Sequence, residues 1–80
     1  MARYVIKAFG ITRDILGSRE NLFETEGNTV ASLRAALIAS YPQLGRLRSL
    51  MIAVNSAYAD DNLAIAESDE IALIPPVSGG

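Results

Sequence analysis

The sequence predicts an α+β domain, a mixed β-sheet with one main helix packed across it. Three observations carry that prediction. Residues 3–9 and 21–25 alternate in side-chain character as strands with one protected face do. From Val30 to Tyr41 the apolar residues instead recur at helical spacing, the one long stretch of that kind. The run from Met51 to Val54 is short and continuously apolar, the pattern of a strand buried from more than one side. With 80 residues there is room for one domain and no second.

The first strand sets Tyr4, Ile6 and Ala8 against Arg3, Val5, Lys7 and Phe9, and Gly10 ends it. Thr12 is positioned to cap a brief helical turn through Arg13, Asp14, Ile15 and Leu16, which Gly17 terminates by accepting a left-handed backbone. Leu22 and Glu24 then alternate with Phe23 and Thr25, a hairpin partner for the first strand. Gly27 and Asn28 form a turn, and Thr29 is a good N-cap for the main helix. Val30, Leu33, Leu37, Ile38 and Tyr41 make its apolar stripe, Arg34 points elsewhere, and Pro42 stops the run. After Met51 to Val54, Asn55 and Ser56 turn the chain so that Ala57 and Tyr58 pair briefly. An acidic loop follows at Asp60, Asp61 and Asn62, from which Leu63 and Ile65 return toward the core. Glu70 to Ile74 is the final strand, ended by Pro75. Placing the first and last strands side by side in the middle of the sheet gives the ubiquitin-like β-grasp arrangement.

Composition narrows function by exclusion. The chain is 50% hydrophobic and 20% charged, with no cysteine, histidine or tryptophan. A disulfide framework, a thiolate nucleophile, a Ser-His-Asp relay and the usual zinc, haem or iron–sulfur sites are therefore closed to it. A net charge of −2 and a pI near 4.9 argue against nucleic-acid binding, which requires a clustered basic excess. No run approaches the ~18 apolar residues of a membrane span. Lys7 interrupts the apolar N-terminal stretch and no small-residue cleavage site follows, so the expected location is the cytoplasm.

Most charged groups read as solvated surface. Asp60 and Asp61 lack the spaced oxygen donors and central glycine of a calcium loop. Glu67, Asp69 and Glu70 have no base or nucleophile near them in sequence, and Lys7 reads as a surface charge on its strand. Arg34, Arg46 and Arg48 form a small positive region, for which partner docking stands as the alternative to a solvated loop. The segment PPVSGG is different. At ~7% glycine usage, two adjacent terminal glycines arise by chance in about one chain in 200. Composition leaves a frayed end or an expression remnant open beside a working tail.

Physically, such a tail has a use. Pro75 and Pro76 fix φ and favour an extended stem, beyond which Val77, Ser78, Gly79 and Gly80 reach up to ~14 Å at ~3.3–3.6 Å per residue. Glycines at 79 and 80 have no side chain to block a narrow passage, so the group delivered would be the α-carboxyl of Gly80.

The segment DEIALIPPVSGG, the internal Ala53-Val54-Asn55 and the spacing of Phe9, Gly10, Arg13 and Gly17 together resemble the small subunit of molybdopterin synthase, the MoaD family of sulfur carriers. The resemblance spans nearly the whole chain, and the tail is its most specific part. Ser68 stands where the family often has glycine, and Leu73-Ile74 replaces a commonly aromatic pair. The resemblance implies a β-grasp domain over residues 1–74 and an extended, flexible tail over 75–80. It implies that Gly80 is the reactive residue and that Gly79 provides steric access. Leu73, Ile74, Pro75, Pro76, Val77, Ser78 and Arg13 become the expected partner-binding residues, with Arg13 equally suited to a structural ion pair and Phe9 to packing. No bound cofactor is implied. An E1-like, MoeB-like enzyme would spend ATP to adenylate Gly80, a sulfur donor protein would convert the adenylate to a thiocarboxylate, and a MoaE-like large subunit, in a heterotetramer, would supply the catalytic side chains that build the molybdopterin dithiolene. Three other readings stay open at this point: a carrier for thiamine or another thio-metabolite, a ubiquitin-like protein modifier, and a non-catalytic docking module.

Overall fold

The computed structural model describes residues 1–76 of the chain. Strand β1 (Ala2–Ala8), helix α1 (Ile11–Leu16), strand β2 (Glu20–Thr25), helix α2 (Val30–Ser40), a 3-10 helix (Pro42–Arg46) and strands β3 (Met51–Val54), β4 (Ala57–Tyr58) and β5 (Glu70–Ile74) follow in order. The strands form a sheet in the order β2-β1-β5-β3-β4. β1 and β5 are parallel neighbours at its centre, and the other pairings are antiparallel. This is the β-grasp arrangement expected from the pattern. Parallel strands need a long crossover between them, and α2 lies within that connection.

Alternation decides which side chains α2 covers. Tyr4 and Ile6 of β1, Ile52 of β3, and Ile71 and Leu73 of β5 are buried together with Val30, Leu33 and Leu37 of α2. Each large apolar side chain so buried contributes about 1.5–3 kcal/mol, against about 0–1 kcal/mol for an exposed ion pair. The inner face therefore holds the fold together, which leaves the outer face of the sheet available for other work.

The start of α2 forms as its sequence dictates. Thr29 accepts from the Ser32 backbone N–H at 3.2 Å while the Ser32 hydroxyl accepts from the Thr29 backbone N–H at 3.1 Å, a reciprocal capping box. Other expectations are corrected. Thr12 lies inside α1 and does not cap it; Gly10 occupies the cap position, and the Thr12 hydroxyl is buried against the backbone of Phe9. Pro42 ends α2 but opens the 3-10 helix, where a missing N–H costs nothing, and this turn buries Leu44. Ile65 returns to the core while Leu63 stays 44% exposed and is tied to the fold through its carbonyl, which accepts from Val30 N–H at 3.0 Å. Arg34, grouped in sequence with Arg46 and Arg48, is engaged by the fold. Its guanidinium donates to the Leu50 carbonyl and pairs with Asp61 at 3.3 Å, tying α2 to two loops.

Candidate functional site

β5 runs directly into the stem of the tail, so the site is built around its C-terminal end. Leu73 and Ile74 face opposite ways, as neighbours on a strand must. Leu73 is fully buried, whereas Ile74 is half-buried on the outer face. The expectation that Leu73 meets a partner is corrected on that ground: its side chain is committed to the core. Pro75 and Pro76 are also half-buried. Val77, Ser78, Gly79 and Gly80 lie outside the described residues.

Strand register assembles an apolar corner around Ile74. Met51 is its cross-strand partner on β3, and Ala72, Ala53 and Tyr58 form the adjoining row across β5, β3 and β4. Phe9, just past the end of β1, closes the corner from the other side. Phe9, Met51 and Tyr58 are 45%, 44% and 69% exposed, so Phe9 is a surface residue and not the packing residue expected from sequence. Phe9, Tyr58, Ala72 and Ile74 line an open pocket of about 350 Å³. Interaction surfaces are commonly built from exposed apolar side chains brought together in this way.

Charges border the corner, and Glu70, with Ser56, lines the polar end of the pocket. Lys7 pairs with Glu70 at 3.1 Å, and Arg3 pairs with Glu24 at 3.6 Å farther along the same face. Lys7, Arg19 and Glu20 line a second pocket of about 220 Å³, which shares Phe9 with the first. Arg13 is exposed on α1 and, among the described residues, makes no ion pair.

The turn before β5 is held by a polar knot that explains Asn55. Asn55 and Ser56 take positive φ values of 52° and 70°, which a two-residue hairpin turn requires. From there the Asn55 side chain donates to Asp69 at 3.0 Å and accepts from the Glu70 backbone N–H at 2.9 Å. Asp69 also accepts from the Ala66 N–H at 2.8 Å, and its own N–H closes the turn on the Ala66 carbonyl. Ser68 is not among the positive-φ residues, so this turn does not need the glycine common in the family. The Ala66 N–H, and after it the Asn55 amide, hold the Asp69 carboxyl below its ordinary value of 3.8. Above that value the resulting stabilisation is fully present; as pH falls through the depressed folded value, Asp69 takes up a proton and the stabilisation is lost. Wild type is therefore expected to lose more of its urea resistance than Asp69→Asn between about pH 6 and pH 3. Parallel declines in the two proteins would contradict this.

Sequence reasoning missed Met51 and Tyr58 as surface residues, although strand alternation signals both once the pairing partners are known. Gly10, read as a strand terminator, also contacts the stem: a Cβ placed on it would meet the Pro75 ring.

The chain resembles proteins of known kind throughout. Residues 6–80 match the ThiS family. The molybdopterin synthase sulfur carrier subunit of Chlamydomonas reinhardtii is 36% identical over 76 residues, an alignment covering 90% of this chain and 92% of the relative. Among solved structures, the small archaeal modifier protein 1 of Haloferax volcanii is 29% identical with a TM-score of 0.79, covering 96% of this chain and all of that one. A complex of subunits 1 and 2 of the molybdopterin-converting factor from Helicobacter pylori contains a chain 28% identical, with a TM-score of 0.67 and coverage of 98% and 99%. The β-grasp fold, the matched span and this degree of identity lead to one assignment: the chain belongs to the ThiS family, with the sulfur carrier subunits of molybdopterin synthase.

Proposed function

We propose that the chain carries sulfur as a thiocarboxylate on Gly80 and delivers it, docked on the large subunit of molybdopterin synthase, to cyclic pyranopterin monophosphate. The observation that carries this reading is the apolar corner of Phe9, Met51, Tyr58 and Ile74, continuous with the stem at Pro75 and Pro76. A partner seated there has the tail at its edge.

The chemistry requires no catalytic side chain from this protein. A carboxylate is a poor electrophile, so an E1-like, MoeB-like enzyme joins the Gly80 carboxyl to the AMP of ATP, releasing pyrophosphate. A sulfur donor protein then supplies sulfide equivalents, the C–O bond to AMP breaks, and a C–S bond forms. The thiocarboxylate is anionic and nucleophilic at sulfur, which suits attack on the pterin precursor inside a MoaE-like large subunit. Each dithiolene takes two sulfurs, so spent and charged carriers exchange; a heterotetramer with two carriers on paired large subunits fits that cycle. Gly79 is proposed to give steric access, and Ile74, Pro75, Pro76, Val77 and Ser78 are the proposed partner-binding residues. Arg13, exposed on α1 beside this corner in sequence, is proposed as a rim contact. We propose the cytoplasm as the location of this cycle, which the need for ATP supports.

Intact-mass measurement of the chain purified from cells tests the reading directly. One terminal oxygen replaced by sulfur is the expected result; a population with only the carboxylate, in cells actively making molybdopterin, would count against it. The likeness to an archaeal modifier protein supports a second reading, in which the same activated Gly80 is transferred to a lysine amine. Higher-mass covalent adducts on immunoblots are the outcome that favours it.

A further inference from the structure

We infer that Gly10 is a positioning residue for sulfur transfer: it seats the ring of Pro75 and so sets the direction of the stem from which the tail continues. The inference rests on the sulfur-carrier reading and deepens it.

Two features constrain Gly10, and among the described glycines it alone would meet a residue of the stem; a Cβ on Gly27 or Gly45 would meet Ser32 or Ile38, close by in sequence. The Gly10 backbone, at φ 56° and ψ −132°, lies in territory that a side chain strongly disfavours. A Cβ there would also stand 3.2 Å from Pro75 Cγ, inside the usual carbon–carbon contact distance of about 3.5–4.0 Å. Gly17 provides the contrast. Its φ of 86° serves the left-handed C-cap of α1, and a Cβ on it would meet nothing within 4 Å. Helix termination accounts for Gly17, while what distinguishes Gly10 is contact with the far end of the chain.

The seat is held independently of the tail. The buried Thr12 hydroxyl accepts from the Phe9 N–H at 2.8 Å and donates to the Phe9 carbonyl, and the Gly10 carbonyl accepts from the Arg13 N–H at 3.1 Å. The turn before α1 is thus fixed on both sides of Gly10. Pro75 has its φ set by its own ring, so a rigid seat meets a rigid stem. Pushing the stem aside by a few tenths of an ångström at Pro75 redirects the chain at the point from which it continues to the reactive carboxyl. Misplacement by about 1 Å at a reacting centre costs about 10²-fold in rate.

The test uses thiocarboxylated full-length chain with the large subunit, measuring single-turnover sulfur transfer and docking affinity separately. Gly10→Ala is expected to slow transfer by about tenfold at saturating large subunit, with affinity within about twofold of wild type, since docking uses the sheet face. If Gly10 acts through Pro75, the same substitution in a Pro75→Ala background, which lacks the Cγ, costs less than about threefold. An equal cost in both backgrounds overturns the inference, as does undiminished transfer by Gly10→Ala. Should Gly10→Ala fail to fold, Pro75→Ala is compared with Pro76→Ala. A larger loss for Pro75→Ala supports the seat, and equal losses overturn it. Wild type in the same assay separates the two ideas: no transfer rejects the sulfur-carrier reading and the inference with it, whereas wild-type transfer that is insensitive to Gly10 rejects the inference alone.

Discussion

Deletion of Gly80 is expected to reduce sulfur transfer by more than about 10²-fold while leaving the melting temperature unchanged. Among the described residues every fully buried apolar side chain lies between Tyr4 and Leu73, and β5 ends at Ile74, so this core is complete without the final residue. The truncated chain still ends in a carboxylate, now on Gly79, and its chemical reactivity is the same. What changes is reach, shortened by ~3.3–3.6 Å, several times the misplacement that already costs about 10²-fold. Charging and transfer are separable here. Intact mass after incubation with the adenylating enzyme, ATP and sulfur donor reports the first, and single-turnover product formation on the large subunit reports the second. Transfer above about a tenth of the wild-type rate by the truncated chain would refute the assignment of Gly80. Gly79→Val acts in the same direction through width instead of length, because a branched side chain enters a passage that glycine leaves clear.

The sequence made the inner face of this protein readable, and the outer face much less so. Tyr4, Ile6 and Ala8 announced their burial by alternation, and Thr29 announced the start of α2 by its chemistry, because both signals are local. Leu73 and Ile74 show where local reasoning stopped. Both are apolar and adjacent, and only the pairing of Ile74 with Met51 and of Leu73 with Ile52 reveals which one faces outward. At Phe9 the expectation of packing rests on residue type, whereas alternation already groups it with Arg3, Val5 and Lys7 on the outer face, where it lies 45% exposed. Thr12 was read as a helix cap from its residue type, yet its hydroxyl serves the backbone three residues earlier, a bond that depends on the turn at Gly10. The contact between Gly10 and Pro75 joins the two ends of the domain, and no window of sequence contains both. At Asn55 the resemblance pointed to the residue without a reason, which the hydrogen bonds to Asp69 and Glu70 now supply.

Substituting Ile74 with aspartate is expected to weaken docking on the large subunit by about 10²–10³-fold. Ile74 sits at the centre of the apolar corner, between Phe9 and Met51, and continues into the stem. When a partner covers that corner, a carboxylate at position 74 loses its water; its neighbours on β3, Met51 and Ala53, carry no cation, and Lys7, opposite Ala72 on β1, is engaged by Glu70 at 3.1 Å. An uncompensated buried charge costs about 3–5 kcal/mol, and each 1.4 kcal/mol is a factor of ten in affinity. In the free domain the same carboxylate points outward into solvent, so the fold should survive with a modest loss of stability. Leu22→Asp is the matched control. Leu22 is 67% exposed on the same outer face, but it lies on β2 at the opposite edge of the sheet, beside Val5 and away from the stem. Isothermal titration of the large subunit with each variant distinguishes a corner from a general stickiness of the face. Loss confined to Ile74→Asp places the partner over the tail's origin, and equal affinities for the two variants would move the interface elsewhere. The result also bears on sulfur exchange. Seating in which one side chain contributes this much holds the tail in register during transfer, and an interface confined to a corner still releases the spent carrier for the second round.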